Sequence, residues 1–341
     1  VLFRSITSNM IALLFIITLE KTDSRLDPFQ FNLCVWDLEG IDVSFEKLLR
    51  SSRESEEDEI AQMMYKQLST CDTFVLPGLR NKTTAKNLVL QMEDKKIMGF
   101  KYYPEKGRFD STVLSRVDLD NLEIFQPNEF AYPIENSKCN YTGEPGVAML
   151  NMSFYAEMSF HDPVPKTHLF SIRLKSGFGE RECAFREAQA NLICKKVKEI
   201  NPDEHIYVAG SFEDYGNGNE QKPYQTILSN CGLIDLKSLV KLKTPYTRVS
   251  RENGKEYYYD NIWVNQAVKK SKYIDVAKIT TSIQSSLNST TYITYPITLF
   301  TRQPLTKKWK AFEICYSICI VSLDAIFFTW LMFYSRIKKN D

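Results

Sequence analysis

The sequence lacks an excess of charge of either sign. Its 341 residues include 43 Lys and Arg against 42 Asp and Glu, which leaves a net charge of +1. Binding of a polyanion by counterion release needs a concentrated positive field, so the composition gives no support to a nucleic-acid partner. Histidine is also scarce, with three residues in the chain: His161, His168 and His205. We expect His161 and His205 to lie in solvent.

The sequence also lacks a CxxC motif, which excludes the common zinc-ribbon and thioredoxin-like sites. Of its eight cysteines, Cys315 and Cys319 lie in an apolar segment near the C-terminus. The other six form an even set that permits disulfides in an oxidising compartment: Cys34, Cys71, Cys139, Cys183, Cys194 and Cys231. Cys183 and Cys194 fall in one predicted helix, about 16 Å apart along its axis, so they cannot pair with each other.

Both ends of the chain carry apolar segments. Residues 1–22 contain MIALLFIITL, which is typical of a signal peptide although no A-x-A triplet follows it; a buried strand or helix is the alternative. Residues 311–333 are long enough for a C-terminal transmembrane helix, with a buried helix as the alternative. A basic juxtamembrane linker, 302–310, and a short basic tail, 334–341, flank this segment. The main domain, 30–301, is then luminal or extracellular, and a mitochondrial membrane is the competing location.

The apolar segment 311–333 has one polar face. Glu313 and Asp324 are separated by three helical turns, and Ser317 lies on the same stripe. Asp324 would lie near the bilayer midplane, where an ionised carboxylate costs roughly 2.5 to 3.5 kcal/mol on insertion scales. We therefore expect a partner helix to supply a basic or hydroxyl group to this face. A lone protonated Asp in a simple anchor is the alternative.

Four Asn-x-Ser/Thr sequons are compatible with glycosylation of an exported domain, although such triplets also arise by chance. They begin at Asn81, Asn140, Asn151 and Asn288.

Extended and helical patterns alternate along the middle of the chain. FNLCVWDL, DTFVLPGL and HIYVAGSF are typical of buried strands, whereas residues 52–69 and 181–200 are typical of helices. GVAMLNMSFYAEMSF and THLFSIRL predict a hairpin pair. No short repeat or low-complexity linker interrupts this order. Helices between strands in each half of the chain indicate an α/β fold with two sheets face to face.

Seven motifs follow one another in a characteristic order. They are VWDLEG at 35–40, CDTFVLPGL at 71–79, FSIRLKS at 170–176, FREAQANLI at 185–193, YVAGSFED at 207–214, YYDNIWV at 258–264 and YPITLF at 295–300. In order and spacing they resemble the endonuclease/exonuclease/phosphatase superfamily, from about Asn32 to Phe300. The resemblance implies the deoxyribonuclease-I-like fold, a two-sheet sandwich flanked by helices.

The same resemblance implies that the catalytic residues have been lost. Enzymes of the family hold Mg²⁺ on carboxylates and activate water with a His–Asp pair. The matching positions carry other residues here: Asp37, Gly78, Arg173, Ser211, Glu213, Ile293 and Thr294. Because glycine and isoleucine offer no side-chain oxygen, we expect no cofactor, and a residual Mg²⁺ or Ca²⁺ site is not expected. His168 cannot replace the lost His, since its five-residue offset from Arg173 directs it to the opposite face of a strand.

Residues with structural roles in the family are kept: Arg186, Gln189, Gly210, Phe212, Asp260, Trp263 and Pro296. If the resemblance is real, the lost catalytic positions must meet at one end of the two sheets. An acidic cluster there is an alternative site, built from Asp37, Glu39, Glu213, Asp214 and Asp260. The simpler interpretation is a set of solvated loop carboxylates with a structural Asp260.

The sequence thus predicts a membrane-anchored, catalytically inactive phosphoesterase-like domain, not an enzyme, that acts as a binding or structural subunit of a membrane assembly. Its expected partners are the membrane and other membrane-protein subunits, without nucleic acid. One alternative is a divergent, active, membrane-tethered phosphodiesterase of nuclease or sphingomyelinase type. Another is a receptor whose old phosphate cleft binds a neutral or cationic ligand through Asp37 and Glu213.

Overall fold

The structure is a computed structural model. It describes residues 30–38, 61, 64–65, 70–79, 82–103, 111–125, 130–148, 150, 153–160, 165–212, 222–240, 247–250, 254–270, 274–279, 292–294 and 297–302. The strands β1 to β17 are Gln30–Val35, Thr73–Pro77, Lys101–Tyr103, Ser111–Ser115, Asp118–Ile124, Phe130–Tyr132, Gly146–Ala148, Phe154–Ser159, Thr167–Arg173, His205–Ser211, Leu233–Asp235, Arg248–Ser250, Glu256–Tyr257, Asp260–Asn265, Ile274–Ile279, Tyr292–Thr294 and Ile297–Arg302. The helices α1 to α5 are Lys82–Asp94, Glu180–Glu199, Pro223–Asn230, Leu236–Leu239 and Gln266–Lys270.

Two six-stranded mixed sheets form the centre of the fold. Their strand orders are β15-β17-β1-β2-β4-β3 and β11-β14-β10-β9-β8-β5. Each sheet has one parallel pair at its centre, β1 with β2 and β9 with β10. The predicted hairpin is present as the antiparallel pair of β8 with β9. The α/β sandwich of two sheets expected from the sequence is therefore confirmed.

The two sheets face each other across one apolar layer. Alternate residues of β1, such as Leu33 and Val35, meet Tyr207 and Ala209 of β10 in this layer. The intervening residues of β10, such as Val208, point to the outer face, where α2 packs. Successive strand residues lie on opposite faces, so strands buried on both sides need apolar residues at nearly every position. HIYVAGSF meets that requirement.

Helices cover the outer face of each sheet. In the first sheet, Ala85, Leu88 and Met92 of α1 pack against the cluster that contains Trp36 and Phe74. In the second sheet, α2 contributes Ala190, Ile193 and Val197, among others, to the outer cluster. The sequence predicted α2 at 181–200, and the structure places it at Glu180–Glu199. It did not predict α1, whose apolar stripe is short and lies among polar residues.

The predicted membrane and leader segments lie outside the described residues, as does most of the predicted helix 52–69. Within the part of the chain that the structure describes, no helix combines the length and the apolar character needed to cross a bilayer.

Three disulfides crosslink the described part of the chain. They join Cys34 to Cys71, Cys139 to Cys183, and Cys194 to Cys231. The predicted disulfides of the main domain are thus present, and Cys183 and Cys194 take separate partners as the helix geometry required. Crosslinks of this kind persist in oxidising compartments.

The expectation that His205 lies in solvent is wrong. His205 is the first residue of β10, next to β9 at the centre of the second sheet, and it is 4% exposed. Burial lowers the pKa of His205 from its usual 6.5 to about 4. His168 is also buried, and it lies on the outer face away from Arg173, as its offset predicted.

We expect His205→Gln to reduce the loss of unfolding free energy that the protein undergoes as the pH falls below about 6.5. Folded His205 stays neutral, whereas the unfolded chain takes up a proton near pH 6.5, so the native state loses stability as the pH falls from about 6.5 to about 4. The loss at this single site is on the order of 3 kcal/mol. Urea unfolding at neutral pH and near pH 4 measures it. Parallel pH profiles for the wild type and His205→Gln would contradict the assignment.

Gly210 allows the close approach of β9 to β10 near their ends. Its φ is +149°, and a Cβ atom there would lie 1.9 Å from the backbone oxygen of Ile172. We expect Gly210→Ala to lower the free energy of unfolding by more than about 4 kcal/mol, because a backbone atom must move. Gly232→Ala is the matched control: φ is +88° but no atom lies within 4 Å of the added Cβ. Its cost should be roughly 1 to 2 kcal/mol, from backbone strain alone; equal losses in urea unfolding would refute the steric account.

Candidate functional site

Five buried polar residues meet where the central strands end, and we call them the strand-end cluster: Asp37, Arg173, Ser211, Arg248 and Asp260. Ser211 of β10 lies opposite Arg173 of β9 on one side and Asp260 of β14 on the other. The backbone N–H of Asp37 donates to Oδ2 of Asp260 across the two sheets, at 3.1 Å. Because β1 with β2 and β9 with β10 are parallel pairs, the carboxyl ends of these strands lie at the same edge of each sheet, and the strand-end cluster lies at that edge.

Gly78 and Thr294 border the strand-end cluster. The N–H of Leu38 donates to the carbonyl of Pro77 at 2.8 Å, which places Gly78 beside the segment after β1. Thr294 and Ile293 lie on β16, paired with Arg248 and Val249 of β12. The structure thus brings together Asp37, Gly78, Arg173, Ser211 and Thr294, which are scattered through the sequence.

Arg248 was not identified from the sequence. It belongs to none of the seven motifs, and its only signal is an Arg within the short alternating run T-R-V-S. Its Nη1 lies 3.6 Å from Oδ2 of Asp37, and the two side chains are 5% and 1% exposed. The guanidinium carbon also lies 4.7 Å from the centre of the Tyr259 ring. Arg248 therefore brings a buried positive charge to the strand-end cluster.

Asp260 has a defined structural position. The hydroxyl oxygen of Thr247 accepts hydrogen bonds from the N–H groups of Tyr259 and Asp260, each at 3.0 Å. These bonds fix the start of β14, and the carboxylate of Asp260 in turn accepts the N–H of Asp37. Asp260 links the two sheets at their common end.

Arg186 and Gln189 of α2 hold the chain as it leaves β9. Nη1 of Arg186 donates to the carbonyls of Lys175 and Gly177, each at 2.9 Å. Oε1 of Gln189 accepts the N–H of Lys175 at 2.8 Å. The N–H of Arg173 itself donates to Oγ of Ser153 at 3.1 Å. These bonds fix the backbone on both sides of Arg173.

Three further residues lie next to the strand-end cluster, in or directly after the strands of the second sheet: Gly210, Phe212 and Trp263. The rings of Phe212 and Trp263 lie 6.2 Å apart in the outer apolar cluster of the second sheet. Several predicted site residues lie outside the described residues: Glu39, Asn81, Asn151, His161, Glu213, Asp214, Asn288, Pro296, Glu313, Ser317 and Asp324. Among the sequons, Asn140 is described, and its side chain is exposed.

The residues of the strand-end cluster do not fit Mg²⁺. A divalent cation on Asp37 and Asp260 would have to share the carboxylate of Asp37 with the Arg248 guanidinium, and the two positive charges would repel. Gly78 adds no side-chain oxygen. In the ranges that the structure covers, no three His, Cys, Asp or Glu side chains are grouped so that they could bind a metal.

Neither a protein-family model nor a curated protein sequence matches the chain. Solved structures do. Humanised TDP2 of D. rerio aligns with a TM-score of 0.53 and 15% identity, over 80% of this chain and 98% of that one. Sphingomyelinase C of Streptomyces griseocarneus aligns with a TM-score of 0.54 and 15% identity, over 80% and 99%. An endonuclease/exonuclease/phosphatase family protein of Bacteroides thetaiotaomicron aligns with a TM-score of 0.51 and 15% identity, over 81% and 98%. The chain therefore has the same fold as these proteins, the deoxyribonuclease-I-like α/β sandwich.

Proposed function

We propose that this chain is a membrane-anchored, catalytically inactive phosphoesterase-like domain that acts as a binding or structural subunit of a membrane assembly. The observation that carries this proposal is the burial of the strand-end cluster. Its members are between 0% and 7% exposed. A phosphoester and an attacking water must both reach the reacting residues, and these five side chains, as described, expose almost none of their surface to either.

The chemistry of the individual residues supports the same proposal. Phosphoester hydrolysis in this superfamily needs a group that accepts a proton from water. Arg173 stands at the position that matches the family's motif His, and a guanidinium stays protonated and has no lone pair to offer. Ser211 stands in place of a carboxylate and carries no charge.

Three disulfides support an oxidising location for the domain, outside the cytosol. The apolar segment 311–333, with its polar face of Glu313, Ser317 and Asp324, supports attachment to the membrane beside another subunit. The net charge of +1 gives the chain no excess of positive charge with which to bind nucleic acid. A domain with a filled catalytic end and a polar membrane face suits assembly better than turnover.

We expect the full chain, purified in mild detergent, to show no Mg²⁺-dependent hydrolysis of an aryl phosphodiester, of DNA or of sphingomyelin. The reason is that the residues of the strand-end cluster are buried and that Arg173 stands where a proton acceptor would be needed. Phosphate or choline-phosphate release measures this. Turnover above a no-protein control that disappears in Glu213→Ala would overturn the proposal.

If the domain is exported, Asn140 is a site at which we expect N-glycosylation. This residue is exposed, with φ of +55°, in a loop that the Cys139–Cys183 disulfide attaches to α2, and Thr142 of its sequon is also exposed. A glycan there would extend into solvent. We expect endoglycosidase to lower the mass of the chain from secretory cells and Asn140→Gln to remove one glycan.

Asn136→Gln is the matched control, because Asn136 is exposed in the same loop with φ of +61° but begins no sequon. Its glycan mass should equal that of the wild type. An unchanged mass in Asn140→Gln excludes this site, and an endoglycosidase-resistant chain whose thiols all alkylate would place the domain in a reducing compartment.

A further inference from the structure

We propose that the guanidinium of Arg248 is a built-in cation, which takes the place of a metal ion beside the carboxylate of Asp37 in the strand-end cluster. This inference rests on the proposed inactive domain and deepens it, because it names what balances the charge where the fold's enzymes use a metal. Nη1 of Arg248 lies 3.6 Å from Oδ2 of Asp37. Asp37 is joined in turn to Asp260 through its backbone N–H.

The burial of these groups makes a counter-charge necessary. Asp37 is 1% exposed, and burial penalises an ionised carboxylate unless an opposite charge lies close to it. A guanidinium keeps its charge at every pH at which the protein is folded. Arg248 therefore supplies an opposite charge to Asp37 from within the chain, without any ligand from solution.

Arg248 is held in place by strand pairing. Its Cα lies opposite Tyr257 of β13 and Thr294 of β16, and the guanidinium stacks over the ring of Tyr259 at 4.7 Å. The N–H of Thr247, the residue before it, donates to the carbonyl of Tyr257 at 2.9 Å. A charge on a paired strand keeps its position better than one on a loop, as the replacement of a coordinated ion requires.

A second ion pair offers a comparison within the same chain. Nη1 of Arg116 lies 3.7 Å from Oδ1 of Asp72, and its guanidinium lies 4.7 Å from the ring of Phe100. This pair resembles the pair of Arg248 with Asp37 in geometry. It lies at the opposite end of β2, however, away from the strand-end cluster. Arg116 thus serves as a control for loss of a stacked arginine away from the strand-end cluster.

The test is thermal unfolding of the full chain in mild detergent with EDTA or with excess Mg²⁺ or Ca²⁺. We expect the wild type and Arg248→Lys to unfold at the same temperature in both conditions. Arg248→Met should lower the Tm in EDTA by roughly 10 °C, because it leaves a buried carboxylate without its cation. Divalent cation should then restore a large part of that loss. Arg116→Met should lose stability without any recovery by the cation.

The double variant Asp37→Asn/Arg248→Met completes the design. It removes both charges, so we expect a Tm closer to the wild type than that of Arg248→Met and no response to Mg²⁺ or Ca²⁺. If Arg248→Met is not recovered folded, recovery of the double variant supports the inference, and its absence overturns it.

Two results overturn the inference directly: a folded Arg248→Met that ignores both cations, or a wild type that both cations stabilise. The proposed function fails on a different result, namely turnover by the wild type. An inactive wild type with an unresponsive Arg248→Met would leave the inactive domain standing and remove only the role of Arg248.

Discussion

The parallel pairing of β9 with β10 is the constraint on which the strand-end cluster depends. It sets Ser211 opposite Arg173, and antiparallel β14 then sets Asp260 opposite Ser211. The pairing requires Gly210, whose missing side chain lets the backbone of Ile172 approach. Arg186 anchors the chain that leaves β9. These residues act through backbone geometry, so their role does not depend on which side chains occupy the strand-end cluster.

The pairing of these strands also determines which charged side chains are buried together in the strand-end cluster. The fold brings polar side chains to a common end whether or not they react, and burial there penalises any charge without a partner. Asp37 and Arg248 meet this condition as an ion pair, and Asp260 meets it partly through the N–H of Asp37. An enzyme can balance buried carboxylates with a bound metal ion, which exchanges with solvent. Arg248 is part of β12, so its charge cannot dissociate from the protein.

Much of the frame could be predicted from the sequence, since its signals are local. The apolar runs of β1, β2 and β10, the long helix α2 and the order of the seven motifs each read directly as structure. Arg248 could not be predicted, because its partner Asp37 lies 211 positions away in the sequence and no motif connects them. His205 was misplaced for a related reason: a polar residue after NPDE resembles a loop, but the pairing of β10 with β9 buries it.

The three disulfides of the described residues are all crosslinks within this chain. Cys34–Cys71 joins β1 to the segment that enters β2, and Cys194–Cys231 joins α2 to the end of α3. With Arg248 as the internal cation, the stability of the strand-end cluster does not depend on ligand concentration, in contrast to sites whose folding energy comes from a bound metal. Charges that are paired by the protein's own side chains keep this end of the fold in one arrangement when the ion content of the surroundings changes. On this proposal, the end where the central strands meet is part of the packed core, and the frame around it is a rigid surface.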